Sequence, residues 1–373
     1  MHQAGPPATA RPQTAQTPGA GGKPLAVCGA WRRAFDGSSE AARDPMLRRY
    51  LGDMVRPYGV GLRADLLDEG AGYSYGDMAD ALFAEADVAG RDVDLVVMAH
   101  AVSDVIPGRS TAAYLSYLCR SEPLALAVCD QGNAAPFTAL RLIRAYAAGA
   151  GCRRSLLLVA EQAAALYEPP AHAPLPARHA AVLIEFGDSA PGGIAATVVR
   201  AAVPPEQVPG ELAARVTALA SGQGDVTLVV GNGLSCALAG ADSGGPAVSE
   251  PVQITIGNGA LAGLPAADLV VAPAGQPCTG VWWELAGRLP AWRSTRRRVL
   301  LADYEANLGY LCLSAIDVGP AAQPGTAQPG TAQPGTAQPG TAQPDTAQPD
   351  TARPGTALAD GGQQAVRSER LAR

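Results

Sequence analysis

Three short runs constrain this chain most: DVDLVV at 92–97, DVTLVV at 225–230 and ADLVV at 267–271. Each carries a continuous apolar stretch too short for an ordinary helix, followed by a polar or Gly-rich turn. Each therefore reads as a strand buried on both faces. Runs of the same kind occur at 94–99 (DLVVMA), 124–129 (LALAVC), 155–160 (SLLLVA) and 180–186 (AAVLIEF) in the first half. In the second half they occur at 226–230, 252–256, 269–272 and 299–302. Between them apolar residues recur at helical spacing. Met78, Leu82 and Ala86 share a face of 75–87. A short helix over 111–118 follows Pro107. Phe137, Leu140, Ile143 and Ala147 share a face of 133–149, which Gly149 and Gly151 end, and 279–289 is a further helix. The run 124–129 is expected to be a fully buried central strand. Strand–helix alternation in both halves implies a layered α/β protein of two related units.

The ends differ. Residues 1–23 are mostly Pro, Ala, Gln, Thr and Gly, and from 322 the unit AQPGT repeats, drifting to AQPDT and ARPGT by 356. The repeat holds no large apolar residue and places a Pro in every unit, so it reads as an extended, flexible tail and not as a solenoid. The expected organisation is a disordered segment at 1–23, an N-terminal half at 24–187, a C-terminal half at 188–319 and a disordered tail at 320–373. The break between the halves falls in the Pro- and Gly-rich stretch at 188–193.

Hydrophobic residues make up 47% of the chain, enough for a sizeable core. A net charge of −6 argues against nucleic acid as a partner. No stretch reads as a membrane-spanning helix or as a secretory leader. The seven cysteines are odd in number and form no C-x-x-C pair, which suits reduced thiols in a cytoplasm and neither a disulfide framework nor a zinc site.

Residues 92–118 (DVDLVVMAHAVSDVIPGRSTAAYLSYL) and 124–162 (LALAVCDQGNAAPFTALRLIRAYAAGAGCRRSLLLVAEQ) resemble the first half of the thiolase superfamily, most closely its ketoacyl synthase III branch. DLVVAPAGQPCTGVWWELAGRL at 268–289 takes the place of the branch's Pro-His-Gln-Ala-Asn-like segment, and DYEANLGYLCLSAIDV at 303–318 is similar to its closing Gly-Asn loop and last strand. The resemblance implies a thiolase-like five-layer αβαβα fold of two related halves. It implies a dimer, either of identical chains or with an active homologue. It also implies action on acyl thioesters of an acyl carrier protein or coenzyme A, with no further cofactor. Polyketide, fatty-acid-like or other specialised metabolism is the expected setting.

The family's condensing chemistry needs a cysteine at a helix start, where the helix end lowers the thiol pKa, and a His and an Asn that stabilise an enolate. Here Asn133 stands at the nucleophile position. No histidine lies beyond His179, and Pro273-Ala274 stands where Pro-His is expected. Asn307 alone matches the triad. The expectation is a protein without decarboxylative condensation, serving as an acyl-binding or non-catalytic heterodimer partner. The alternative is an active acyltransferase or condensing enzyme with a rearranged nucleophile such as Cys129. Gln131, Gln276 and Trp282 are the candidate substrate-binding residues. Of the pair Trp282-Trp283, adjacent helix positions cannot both face one core.

Other motifs weigh less. Gly233-Leu234-Ser235-Cys236-Ala237 hints at a nucleophile elbow without the later His such an enzyme needs, and reads as a turn. The Gly-rich run at 257–263 reads as a turn because Pro265 interrupts any helix behind it. His100 with Asp104 reads as a polar loop pair. Arg293 and the run Arg296-Arg297-Arg298 read as a solvated face, with an acidic carrier or a phosphate as the sharper alternative.

Overall fold

In the computed structural model, residues 25–38, 43–169, 175–240, 266 and 268–320 are described. The strand expected at 252–256, the glycines at 257–263 and both tails lie outside them. The first half runs β1 (Ala26–Phe35), α1 (Pro45–Val55), α2 (Ala64–Glu69), α3 (Tyr75–Glu85), β2 (Leu95–His100), α4 (Thr111–Leu118), β3 (Leu124–Val128), α5 (Ala135–Gly149), β4 (Ser155–Glu161) and β5 (His179–Gly187). The second runs β6 (Gly193–Arg200), α6 (Val208–Ala220), β7 (Asp225–Val230), α7 (Asn232–Ala239), β8 (Asp268–Val271), α8 (Gly280–Trp292), β9 (Arg297–Glu305) and β10 (Tyr310–Val318).

The strands form two five-stranded sheets, ordered β1-β5-β4-β2-β3 and β6-β10-β9-β7-β8. Substituting β6 to β10 for β1 to β5 turns one order into the other. In each sheet the three strands at the β3 or β8 end are parallel, and the two at the other end run antiparallel. The chain passes from one sheet to the other between Gly187 and Gly193.

Alternation along the strands sorts their side chains into layers. Val96, Met98, Leu156, Leu158 and Leu183 pack with Met78, Leu82 and Leu115 of α3 and α4. Leu95, Val97, Leu157, Val159 and Ile184 point the other way, onto Phe137, Leu140 and Ile143 of α5 and Trp282 and Leu285 of α8. Val229, Val299 and Leu301 meet the same central helices from the second sheet, while Leu228, Val230, Leu300 and Ala302 pack outward with α6 and α7. The order is thus helix, sheet, helix pair, sheet, helix. Each large apolar side chain fully buried in the central pair contributes about 1.5–3 kcal/mol, so α5 and α8 are the main adhesive between the halves.

Two expectations need correction. The run 124–129 is not a buried central strand. β3 lies at the sheet edge, its Leu124 is 47% exposed, and only Val128 of its five residues is buried. An apolar run distinguishes a strand from a loop; it does not say whether protein or a partner covers the outer edge. The segment after β7 is a helix and not a turn. Ser235 lies inside α7 and its Oγ donates to Gly231 O at 2.8 Å, which spends the hydroxyl on the helix's own first turn.

The basic run is largely consumed within the fold. Arg297 pairs with Asp268 at 2.6 Å, and Arg298 grips Asp317 with two bonds of 2.7 and 2.8 Å. Arg293 donates to Val27 O and Cys28 O.

Candidate functional site

The parallel strands of each sheet end at one side, where open α/β sheets place their ligand crevices. There β3 gives way to a sharp turn. Asp130 has φ of 58° and Gly132 of 52°, both left-handed, and a single 3-10 turn at Gly132–Ala134 leads into α5. Asn133 therefore sits at the start of the central helix and is only 6% exposed. Its backbone N–H donates to Glu305 Oε2 at 3.1 Å and its Nδ2 to Tyr304 O at 3.0 Å, while its Oδ1 has no partner among the described residues.

The second half repeats the arrangement. Strand register pairs Leu95 with Leu124 and Leu228 with Leu269. Leu95 and Leu228 match in the runs DVDLVV and DVTLVV. Asn133 and Cys278 then lie the same number of residues beyond Leu124 and Leu269, each leading into a central helix. The N–H of Cys278 donates to Glu161 Oε2 at 2.9 Å and that of Thr279 at 3.1 Å, with the Thr279 hydroxyl on Glu161 Oε1. Each half thus ends a central strand in a glutamate whose carboxylate receives the helix start of the other half.

A third acid completes the pattern. Asp303 Oδ1 accepts from Leu234 N at 3.0 Å, in the first turn of α7, and from Tyr304 N at 2.8 Å. Glu161 is wholly buried, and burial pushes its carboxyl up to about 7, against the pull of Thr279 and the two backbone donors. Burial likewise raises Asp303 to about 7, the bonds from Leu234 and Tyr304 opposing it. Burial holds the Cys278 thiol well above its ordinary value, with Glu161 adding to the effect. None of these three acids was singled out from the sequence. The available signal was an acidic residue at the end of an apolar strand run, VAE at 159–161 and ADYE at 302–305.

The remaining candidates fall as follows. Cys129 is exposed beyond β3, with its Sγ 3.3 Å from Asp130 Oδ2. Burial of the sulfur and the adjacent Asp130 raise its pKa, opposite to what a thiolate nucleophile requires. Asn307 is exposed in the β9–β10 turn and its N–H donates to Glu305 Oε1 at 3.2 Å, so Glu305 bridges Asn133 and Asn307. Gln131 Oε1 accepts from Thr138 Oγ1 at 2.6 Å. Gln276 is buried between Arg178, which donates to it at 2.6 Å, and Thr279, reached at 2.9 Å; it therefore joins the Glu161 group. Trp282 is fully buried, its ring centre 5.3 Å from that of Phe137, so it packs α8 on α5. Its neighbour Trp283 is partly buried at the margin of the same core, between the guanidiniums of Arg32 and Arg178 at 4.8 and 4.7 Å.

His100 Nδ1 lies 2.9 Å from Val102 O, while Asp104 holds Tyr75 N, Ile106 N and the Thr111 hydroxyl. His179 Nδ1 meets Ala163 N at 3.2 Å. Among the described residues no His, Cys, Asp and Glu cluster is placed to hold a metal, and no helix is long and apolar enough to cross a membrane.

Two halves of one topology, stacked in five alternating layers with helix starts meeting between them, define the thiolase-like class of α/β proteins. The structure is similar to 3-oxoacyl-(acyl carrier protein) synthase III, FabH, from Pseudomonas aeruginosa PAO1, with 16% identity, 80% of this chain and 98% of that chain covered, and a TM-score of 0.50. It is also similar to AbyA1, a tetronic acid condensing enzyme (14% identity, 78% and 99% covered, TM-score 0.48), and to a variant of OleA from Xanthomonas campestris (13%, 79% and 98%, 0.46). No family model matches the sequence, and no curated protein matches it.

Proposed function

We propose that this chain is a ketosynthase III-like protein of specialised metabolism that does not itself carry out decarboxylative condensation. It serves as an acyl-binding or non-catalytic partner of an active homologue, which works on thioesters of an acyl carrier protein or coenzyme A. The observation that carries the reading is Asn133. An amide stands at the start of α5, its backbone N–H already bound to Glu305. An amide forms no labile thioester, so the covalent route is closed there. The second half offers no histidine to donate to an enolate oxygen, and loss of one such donor costs about 3–4 kcal/mol of transition-state stabilisation. No observation favours Cys129 as the nucleophile, since partial burial and the neighbouring Asp130 raise its thiol pKa, the opposite of activation.

Partnership is supported by β3, whose residues LALAV carry no charge and leave one backbone edge free among the described residues. Uncharged apolar edges are uncommon in chains that stay single, because they pair readily with another strand. The test is co-expression with a homologous ketosynthase III that retains its Cys, His and Asn. A stable complex whose condensing activity exceeds that of the homologue alone is expected. The complex should be lost in Leu126→Lys, which puts a charge in the middle of β3. Independent elution of the two proteins would refute the partner role.

A further inference from the structure

The start of α5 is not merely missing a thiol; it is already filled. Glu305 is 6% exposed and places one carboxylate oxygen on the N–H of Asn133 and the other on that of Asn307. Three glycines clear the room that this arrangement needs. A Cβ on Gly132 would stand 1.9 Å from Glu305 Oε2, and one on Gly231 2.2 Å from the Asp303 carboxyl. A Cβ on Gly233 would stand 2.0 Å from Tyr304 O and 2.7 Å from Asn133 Nδ2. Strand end, turn and helix start are thus packed closely around Asn133 and Glu305.

We infer that Glu305 is a built-in occupant of the helix start, which closes this position to acyl groups independently of the amide at Asn133. The inference rests on the proposed reading that position 133 is where a nucleophile would stand, and it adds a second block there. The N–H that would stabilise a developing oxyanion is spent on an anion the chain supplies itself. A thiol at position 133 would also lie beside a carboxylate, which disfavours the thiolate and cancels the benefit of the helix end. Replacing Asn133 by cysteine alone is therefore insufficient to create a reactive centre.

The experiment compares Asn133→Cys with Asn133→Cys/Glu305→Gln and Asn133→Cys/Glu305→Ala in the full chain. Each is treated with iodoacetamide at neutral pH, and alkylation at position 133 is followed by peptide mass spectrometry. Removing a neighbouring negative charge is worth about one pKa unit or more, so the double variants should alkylate at least about tenfold faster than the single one. The buried Cys236 and Cys312 serve as internal controls of folding and should stay unlabelled throughout. A pH–rate profile of Asn133→Cys alone gives a second measurement that needs no change at Glu305, and its inflection should lie above that of an ordinary thiol. Equal rates in single and double variants, no reaction in any folded variant, or an inflection below the ordinary value would each overturn the inference. Acylation of the wild-type chain at another cysteine would sink the proposed function and leave this result standing.

Discussion

Glutamine in place of Glu161 should stabilise this protein at alkaline pH and leave it nearly unchanged in acid. The carboxyl moves from 4.5 to about 7 on folding, chiefly through burial. At 1.36 kcal/mol per unit, that difference is worth about 3 kcal/mol. Because the folded pKa is the higher one, folded Glu161 holds its proton more tightly than the unfolded chain does. Its contribution is fully present below pH 4.5 and is lost as pH rises through about 7. Glutamine can accept from the N–H groups of Cys278 and Thr279 and turn its own NH2 toward the Thr279 hydroxyl, as the protonated acid would. An imperfect replacement bond costs about 1 kcal/mol. The net expectation is a gain of about 2 kcal/mol for Glu161→Gln at about pH 8, shrinking to zero or slightly below near pH 5. Urea unfolding at half-unit steps from about pH 5 to about pH 8.5 measures it, and the difference between the two curves isolates Glu161 from the other acids. A difference that stays flat across the window would refute the reasoning, as would one that grows toward acid.

Gly132→Ala combines a left-handed backbone with a Cβ that meets Glu305, and should lower stability by about 2 kcal/mol or more in urea unfolding. Its additional substitution Glu305→Gly should recover part of the loss if the clash contributes. Phe137→Ala removes the ring on which Trp282 packs and should cost about 3–5 kcal/mol, read as a lower unfolding midpoint with reduced near-ultraviolet Trp signal.

The layers were largely legible in the sequence because buried strands and one-sided helices leave periods of their own. The runs at 94–99, 155–160 and 180–186 are β2, β4 and β5, and 133–149 is the turn plus α5. β1 was not legible: Arg32 and Arg33 interrupt its apolar character, and Arg32 makes sense only against Trp283, far along the chain. The edge position of β3 was hidden because the uncovered side of a strand leaves no mark on an apolar run. At the site, Asn133 could be placed by counting within the helix. Glu161, Asp303 and Glu305 could not, because a carboxylate at a strand end gains its meaning from the helix start that folding brings to it. In each case that start belongs to an element distant in sequence or in the other half.

The central claim is that this chain alone neither holds an acyl group covalently nor decarboxylates a malonyl thioester. Intact-mass spectrometry of the purified wild-type protein, after incubation with acyl and malonyl thioesters of coenzyme A and of a carrier protein, tests it most directly, with carbon dioxide release followed in parallel. The expected result is an unchanged mass and no release above buffer. A mass increase equal to one acyl group would contradict the claim; its loss in Cys129→Ala would make Cys129 the nucleophile, and its persistence would move the search to the other six cysteines.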